Sequence, residues 1–185
     1  MKPLVIFGKT NSGKTTIAKE LEKLGLKRVV TYTTRPIRSN EVDGIDYHFI
    51  NNDEFNQKKN EGFFIETAEY NAAFGYCQYG SAKNSIVDNT VIVLNPYGVK
   101  KLEELNKDFI GVYLDLSDEN IKKRAELRGD STEEIERRLI ADKKDFSIPL
   151  KKDIIIDCNN LRLNDVDKTA KEILLLAELK SKALD

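Results

Sequence analysis

The apolar run LVIF (residues 4–7) leads directly into GKTNSGKT (8–15) and then into TIAKELEKLG (16–25). No other stretch restricts the fold so strongly. A short, continuous apolar run is what a parallel strand buried on both faces requires. Ile17, Ala18, Leu21 and Leu24 recur at helical spacing, and Gly25 offers a stop. Between strand and helix, Gly8, Gly13, Lys14 and Thr15 satisfy G-x-x-x-x-G-K-[ST]. Glycines let the backbone curl until successive N–H groups converge, and the helix N-terminus adds its positive end. Such a loop takes phosphate through Gly8, Asn11, Ser12, Gly13, Lys14, Thr15 and Thr16. Within it, the Lys14 ammonium is expected to bridge the β- and γ-phosphates and the Thr15 hydroxyl to ligate Mg²⁺.

Beyond the loop, apolar runs at 28–31, 91–94, 110–115 and 154–157 read as strands. Helical patterns intervene at 97–106, 117–129 and 131–146, and another closes the chain over 164–182. Ser117 is a candidate N-cap, and STEE (131–134) has capping-box spacing. Alternation of strand and helix at both ends predicts an α/β parallel sheet. Residues 34–84 break the rhythm with Asn, Gly, Tyr and Phe, and read as an inserted subdomain.

Thirty basic against 31 acidic residues leave a net charge of −1 on 185 residues. That balance gives no global attraction to nucleic acid or to an anionic membrane, so any anion site is local. Cys77 and Cys158 stand far apart without metal-ligand spacing and read as free thiols in a reducing compartment. The opening MKPLVIFGKT has too short an apolar stretch for a signal peptide, and no later run reaches membrane-spanning length. A cytoplasmic location is expected.

TYTTRPIRSNEVDGIDYHFI (31–50) resembles the guanylate kinase signature T-T-R-x-x-R-x-x-E-x-x-G-x-D-Y-x-F, through Thr33, Thr34, Arg35, Arg38, Glu41, Gly44, Asp46, Tyr47 and Phe49. GFFIETAEY (62–70) is similar to the family's strand bearing a guanine-reading glutamate, here Glu66, and YGS (79–81) to its Tyr-Gly-[ST] element. IKKRAELRGDSTEEIERRL (121–139) resembles the arginine-bearing lid, with Arg124, Arg128 and Arg138 at the matching places. The resemblance covers essentially the whole chain. It implies an α/β P-loop three-layer fold with a parallel central sheet. The core would comprise 1–33, 85–119 and 139–185, the GMP-binding subdomain 34–84 and the helical lid 120–138. It also implies ATP as donor with Mg²⁺, GMP or dGMP as acceptor, no nucleic-acid or membrane partner, and a monomer or homodimer.

The chemistry of the residues agrees. Arg35 and Arg38, three apart beside a tyrosine-rich insert, offer guanidinium forks to a phosphate monoester, with Tyr47 and Tyr79 completing the receptor. Glu66 lies in an apolar setting. A carboxylate facing the Watson–Crick edge of guanine accepts from N1–H and the 2-amino group, and adenine leaves it unpaired. Thr31 and Ser81 are candidates for the remaining base contacts. His48 reads as structural, since phosphoryl transfer relies on positioning and charge neutralisation. Arg124 and Arg128, at i and i+4, share a helical face and can act together on the transferring group.

The chain departs from the family at VLNPYG, where Val93 and Asn95 replace the aspartates of D-x-D-x-x-G. Those carboxylates normally help to organise Mg²⁺ and the acceptor, and Asn95 keeps hydrogen bonding without charge. Residues 71–90 are longer before Tyr-Gly-Ser and shorter after it, so the helix expected there is stunted. Phe74-Gly75 is an alternative alignment to Tyr79-Gly80. IIIDCNN (154–160) replaces V-x-N-x-D, which leaves the donor's adenine contacts unassigned. Two rival readings are a non-catalytic guanylate-kinase-like binding module, against which Lys14 and Thr15 argue, and a related kinase with another acceptor.

Overall fold

Leu4 to Phe7 lie in β1 (Leu4–Gly8) and are fully buried. The reason is position: in the computed structural model, which describes residues 1–39, 41–72, 75–160 and 165–183, β1 is the middle strand of a five-stranded sheet. Its neighbours are β7 (Thr90–Val93) and β8 (Ile110–Asp115), with β2 (Lys27–Arg28) and β9 (Ile154–Asp157) at the edges, all parallel. Leu4 sits opposite Val91 and Ile110. Leu4 and Ile6 face a core built with α1 (Lys14–Lys23) and α6 (Val166–Ala183). Val5 and Phe7 face a second core with α3 (Pro96–Glu104). Two apolar layers flanking one sheet make the three-layer arrangement, and each such side chain contributes about 1.5–3 kcal/mol on burial.

The helices start where local chemistry dictates. The side chain of Asn51 accepts the Glu54 N–H at 2.8 Å ahead of α2 (Asn52–Asn60). Asn95 does the same for Gly98 at 2.8 Å ahead of α3, whose first residue, Pro96, has no N–H to lose. Asn95 thus has a structural task that an aspartate would also perform, while Val93 is half-buried against the core. Ser117 caps α4 (Asp118–Leu127), and Ser131 caps α5 (Thr132–Asp145). The lid boundary expected at 138 falls inside α5, which runs on without a break.

The run at 28–31 is not one strand. Val29 still donates to Val91 O, but the chain then leaves the first sheet, and Thr31 O accepts from His48 N in a second one. That sheet has the order β4-β3-β6-β5, from β3 (Tyr32–Thr33), β4 (His48–Phe49), β5 (Phe64–Ala72) and β6 (Gly75–Ala82). β5 and β6 form a long antiparallel hairpin, and only turns lie between β6 and β7, so the stunted segment carries no helix. Of the alternative Phe74-Gly75 pairing, Phe74 lies outside the described residues, as does the start of the last predicted helix at Asn164. Among the described residues no helix is long and apolar enough to cross a membrane.

Candidate active site

The strand-to-helix loop opens at the carboxyl ends of the parallel strands, where open α/β sheets bind ligands. Gly8 has φ 155°, and only glycine fits there, because a Cβ would stand 2.5 Å from the Leu114 carbonyl oxygen of β8. Asn11 (φ 57°) and Gly13 (φ 93°) adopt left-handed backbone and complete the curl. Ser12 is fully buried beneath the loop, and its hydroxyl, with the Asn11 side-chain nitrogen Nδ2, lacks a partner among the described residues. Lys14 folds back over the loop, donating from Nζ to Gly8 O at 2.9 Å and Lys9 O at 2.7 Å. Burial pulls its pKa down to about 8, opposed by the charge of Asp142. It remains cationic at neutral pH and gains from an arriving anion.

One cavity of about 430 Å³ joins this loop to the second sheet. Gly8, Asn11 and Lys14 line it from the loop, and Thr31, Arg38, Tyr47, Glu66, Tyr79 and Ser81 line it from the second sheet and its loops. Arg128, at the C-terminal end of α4, and Arg138, on α5, also line it. A smaller cavity of about 230 Å³ lies alongside, where Thr15 meets Thr31, Arg35, Arg38, Tyr47 and Tyr79. Of the residues expected from sequence, Ser12 lies under the loop. Gly13, Thr16 and Arg124 line neither cavity. His48 also lines neither, its ring resting on Tyr32 at 4.5 Å between centroids.

Glu66 is 8% exposed and accepts from the fully buried Ser81 hydroxyl at 2.6 Å. Burial raises the Glu66 carboxyl pKa, and the Ser81 bond opposes that rise. The facing of Tyr79 and Ser81 favours the Tyr79-Gly80-Ser81 alignment. Gly80 between them is required because a Cβ would meet the Phe64 ring at 2.8 Å.

The two arginines of the insert are not equivalent. Arg35 is 4% exposed and grips Glu41 with both terminal nitrogens at 2.8 Å. It also lies over the Tyr47 and Phe49 rings and donates to Pro36 O at 2.8 Å. Arg38 is exposed, and its backbone N–H donates to Glu41 at 3.0 Å. Burial raises the pKa of Tyr47 and Tyr79, so both phenols are donors at neutral pH.

The lid side is tied to the loop. Arg124 donates to Asn11 O at 3.1 Å and Cys158 O at 2.6 Å, and Arg128 to Asn11 Oδ1 at 2.7 Å. Arg138 pairs with Glu134 at 2.7 Å and Asp130 at 3.2 Å. Sequence reasoning missed Tyr70, Arg137 and Asp142, all of which line the main cavity. The spacing of Glu134, Arg138 and Asp142 at successive helical turns was the available signal.

A glycine loop at the end of a central parallel strand, sharing one cavity with an arginine- and tyrosine-bearing insert and with Arg128 and Arg138, is the architecture of a nucleoside-monophosphate kinase. The family model for guanylate kinase matches residues 1–176. The guanylate kinase of Clostridioides difficile (strain 630) is 33% identical over 181 residues, covering 92% of this chain and 83% of that protein. That of Symbiobacterium thermophilum is 33% identical over 145 residues, with 74% and 67% covered. The crystal structure of guanylate kinase from Anaplasma phagocytophilum shares the fold with a TM-score of 0.66 at 23% identity, covering 97% of this chain and 85% of that one. The chain belongs to the guanylate kinase family.

Proposed function

We propose that this chain transfers the γ-phosphoryl group of ATP to GMP or dGMP, giving ADP and GDP or dGDP. The observation that carries the reading is that one cavity is lined both by Glu66 with Ser81 and by Gly8, Asn11 and Lys14. Glu66 accepts from the two donors of guanine's Watson–Crick edge, and Thr31 and Ser81 complete the base contacts. Arg38, Tyr47 and Tyr79 hold the acceptor phosphate. Arg35 supports them, its fork committed to Glu41 and its outer face turned to the smaller cavity. On the donor side the amides of 8–16 and Lys14 hold the β- and γ-phosphates.

The acceptor's phosphate oxygen then attacks the γ-phosphorus in line, and ADP leaves. Lys14, Arg128 and Arg138 bear the shifting charge, with Arg124 fastening α4 to the loop. The Asn11 Nδ2 donor and the Ser12 hydroxyl, unpartnered among the described residues, fit a phosphate-bearing loop. The exposed Thr15 hydroxyl fits a magnesium ion that takes most of its ligands from phosphates and water. Thr15 would hold that ion, which when bound offsets phosphate charge.

The GMP-binding subdomain is the second sheet with its loops, about 34–84, and the lid is about 120–138. A cytoplasmic location, where nucleoside triphosphates are abundant, fits this reading. An ADP-release assay against GMP, dGMP, AMP, UMP and CMP tests the assignment. GMP and dGMP are expected to be turned over and the others to lag by orders of magnitude. Equal rates on AMP would overturn it, and nucleotide binding without ADP release would favour the non-catalytic module.

A further inference from the structure

α5 directs Glu134, Arg138 and Asp142 into the main cavity at successive turns. The first two are matched to each other at 2.7 Å. Asp142 is not part of that pair. Its Oδ2 accepts the Thr10 N–H at 2.8 Å, an amide of the same loop that is read above as the donor-phosphate site. Burial raises its carboxyl pKa, as does nearby Asp145, while the Thr10 N–H and the charges of Lys14 and Lys9 favour the carboxylate. Lys9 is itself held by Asp118 at 2.7 Å. A carboxylate therefore stands inside the anion cradle, bonded to the cradle's own backbone.

An amide N–H gives one strong bond at a time, and a polyanion entering this cavity meets a fixed negative charge. We infer that Asp142 is a positioning residue that competes with the donor's polyphosphate for the loop, and so sets how tightly the nucleotide binds and how readily it leaves. The inference rests on the loop being the donor site. The competing role for a cavity carboxylate is metal ligation. The placement argues against it, because Thr15, the candidate Mg²⁺ ligand, opens into the smaller cavity and Asp142 into the larger.

The test is calorimetric binding of ATP and ADP to wild type, Asp142→Asn and Asp142→Ser, in EDTA and in Mg²⁺, with melting temperatures followed alongside. Asn and Ser keep an acceptor for Thr10 and remove the charge, so two chances of a folded variant exist. Removing one unit charge from a partly buried cavity is expected to tighten both nucleotides about tenfold, with or without Mg²⁺. Slower ADP release should then lower kcat together with KM for ATP. Weaker binding in Mg²⁺ alone would make Asp142 a metal ligand and overturn the inference. Unchanged affinity with a lowered melting temperature would make it a loop anchor, with the same consequence. A wild-type chain that binds neither nucleotide would refute the donor-site reading itself. Wild-type binding with no tightening in the variants refutes only the role of Asp142.

Discussion

Replacing Lys14 by Met should abolish turnover and yet make the protein more stable. The Lys14 ammonium is drawn partly out of water over the loop, and the fall of its pKa from 10.5 to about 8 corresponds to roughly 3 kcal/mol against the charged folded form. Its bonds to Gly8 O and Lys9 O return part of that, at about 1 kcal/mol each. The net gain for Met, which fills a similar volume without charge, is about 1 kcal/mol at pH 7, or roughly 3 °C in melting temperature for a domain of this size. The pH dependence is sharper. Below pH 8 the lysine is charged in both states and the penalty is complete. Between about 8 and 10.5 the folded form sheds its proton first, the unfolded chain binds more protons, and wild type gains stability as pH rises. The variant lacks this titration. Urea unfolding of both proteins across this window should therefore show the variant's advantage shrinking by up to roughly 3 kcal/mol as pH rises. Other titrating groups cancel in the difference. A variant that melts well below wild type at pH 7, with a gap that does not change with pH, would refute the reasoning.

Glu66→Gln should lower kcat/KM for GMP by about 100-fold and erode discrimination against AMP, measured by ADP release, because the amide offers a donor where guanine presents donors. Wild-type KM for GMP should also rise as pH falls toward the raised Glu66 pKa, whereas the variant's should stay flat. Arg35→Lys should cost about 3 kcal/mol in urea unfolding, since an ammonium cannot span both Glu41 oxygens and leaves that carboxylate poorly paired. A loss of activity with unchanged stability would instead place Arg35 on the acceptor phosphate alone. Gly8→Ala should reduce ATP binding below detection by calorimetry, because the added methyl lands 2.5 Å from Leu114 O and only a displaced loop can relieve it.

Much of this molecule can be read from short windows, and the reason is locality. LVIF has no polar position to turn toward solvent, so burial on both faces follows, and the adjoining glycine loop occupies consecutive residues. The apolar run at 28–31 carries equally local information and misleads, because periodicity reports that a segment is buried and not which sheet it joins. Val29 belongs to one sheet and Thr31 to the other. The same boundary governs the site. Arg35 and Arg38 are indistinguishable as spaced guanidiniums, and only their three-dimensional pairing shows that Glu41 claims one fork and leaves the other in the open. Asp142 and Asp145 are likewise equivalent on paper. The phase of α5 against the glycine loop gives Thr10 to Asp142, while Asp145 meets Tyr97. Charge type is therefore legible from sequence, and its assignment to structure or to ligand is not. The assignment depends on which opposite charge arrives first in three dimensions. In this chain an aspartate reaches the glycine loop and a glutamate claims Arg35. On the proposed reading, donor affinity should therefore be governed as much by displacing Asp142 from Thr10 as by the cationic groups, while Arg35 stays a support.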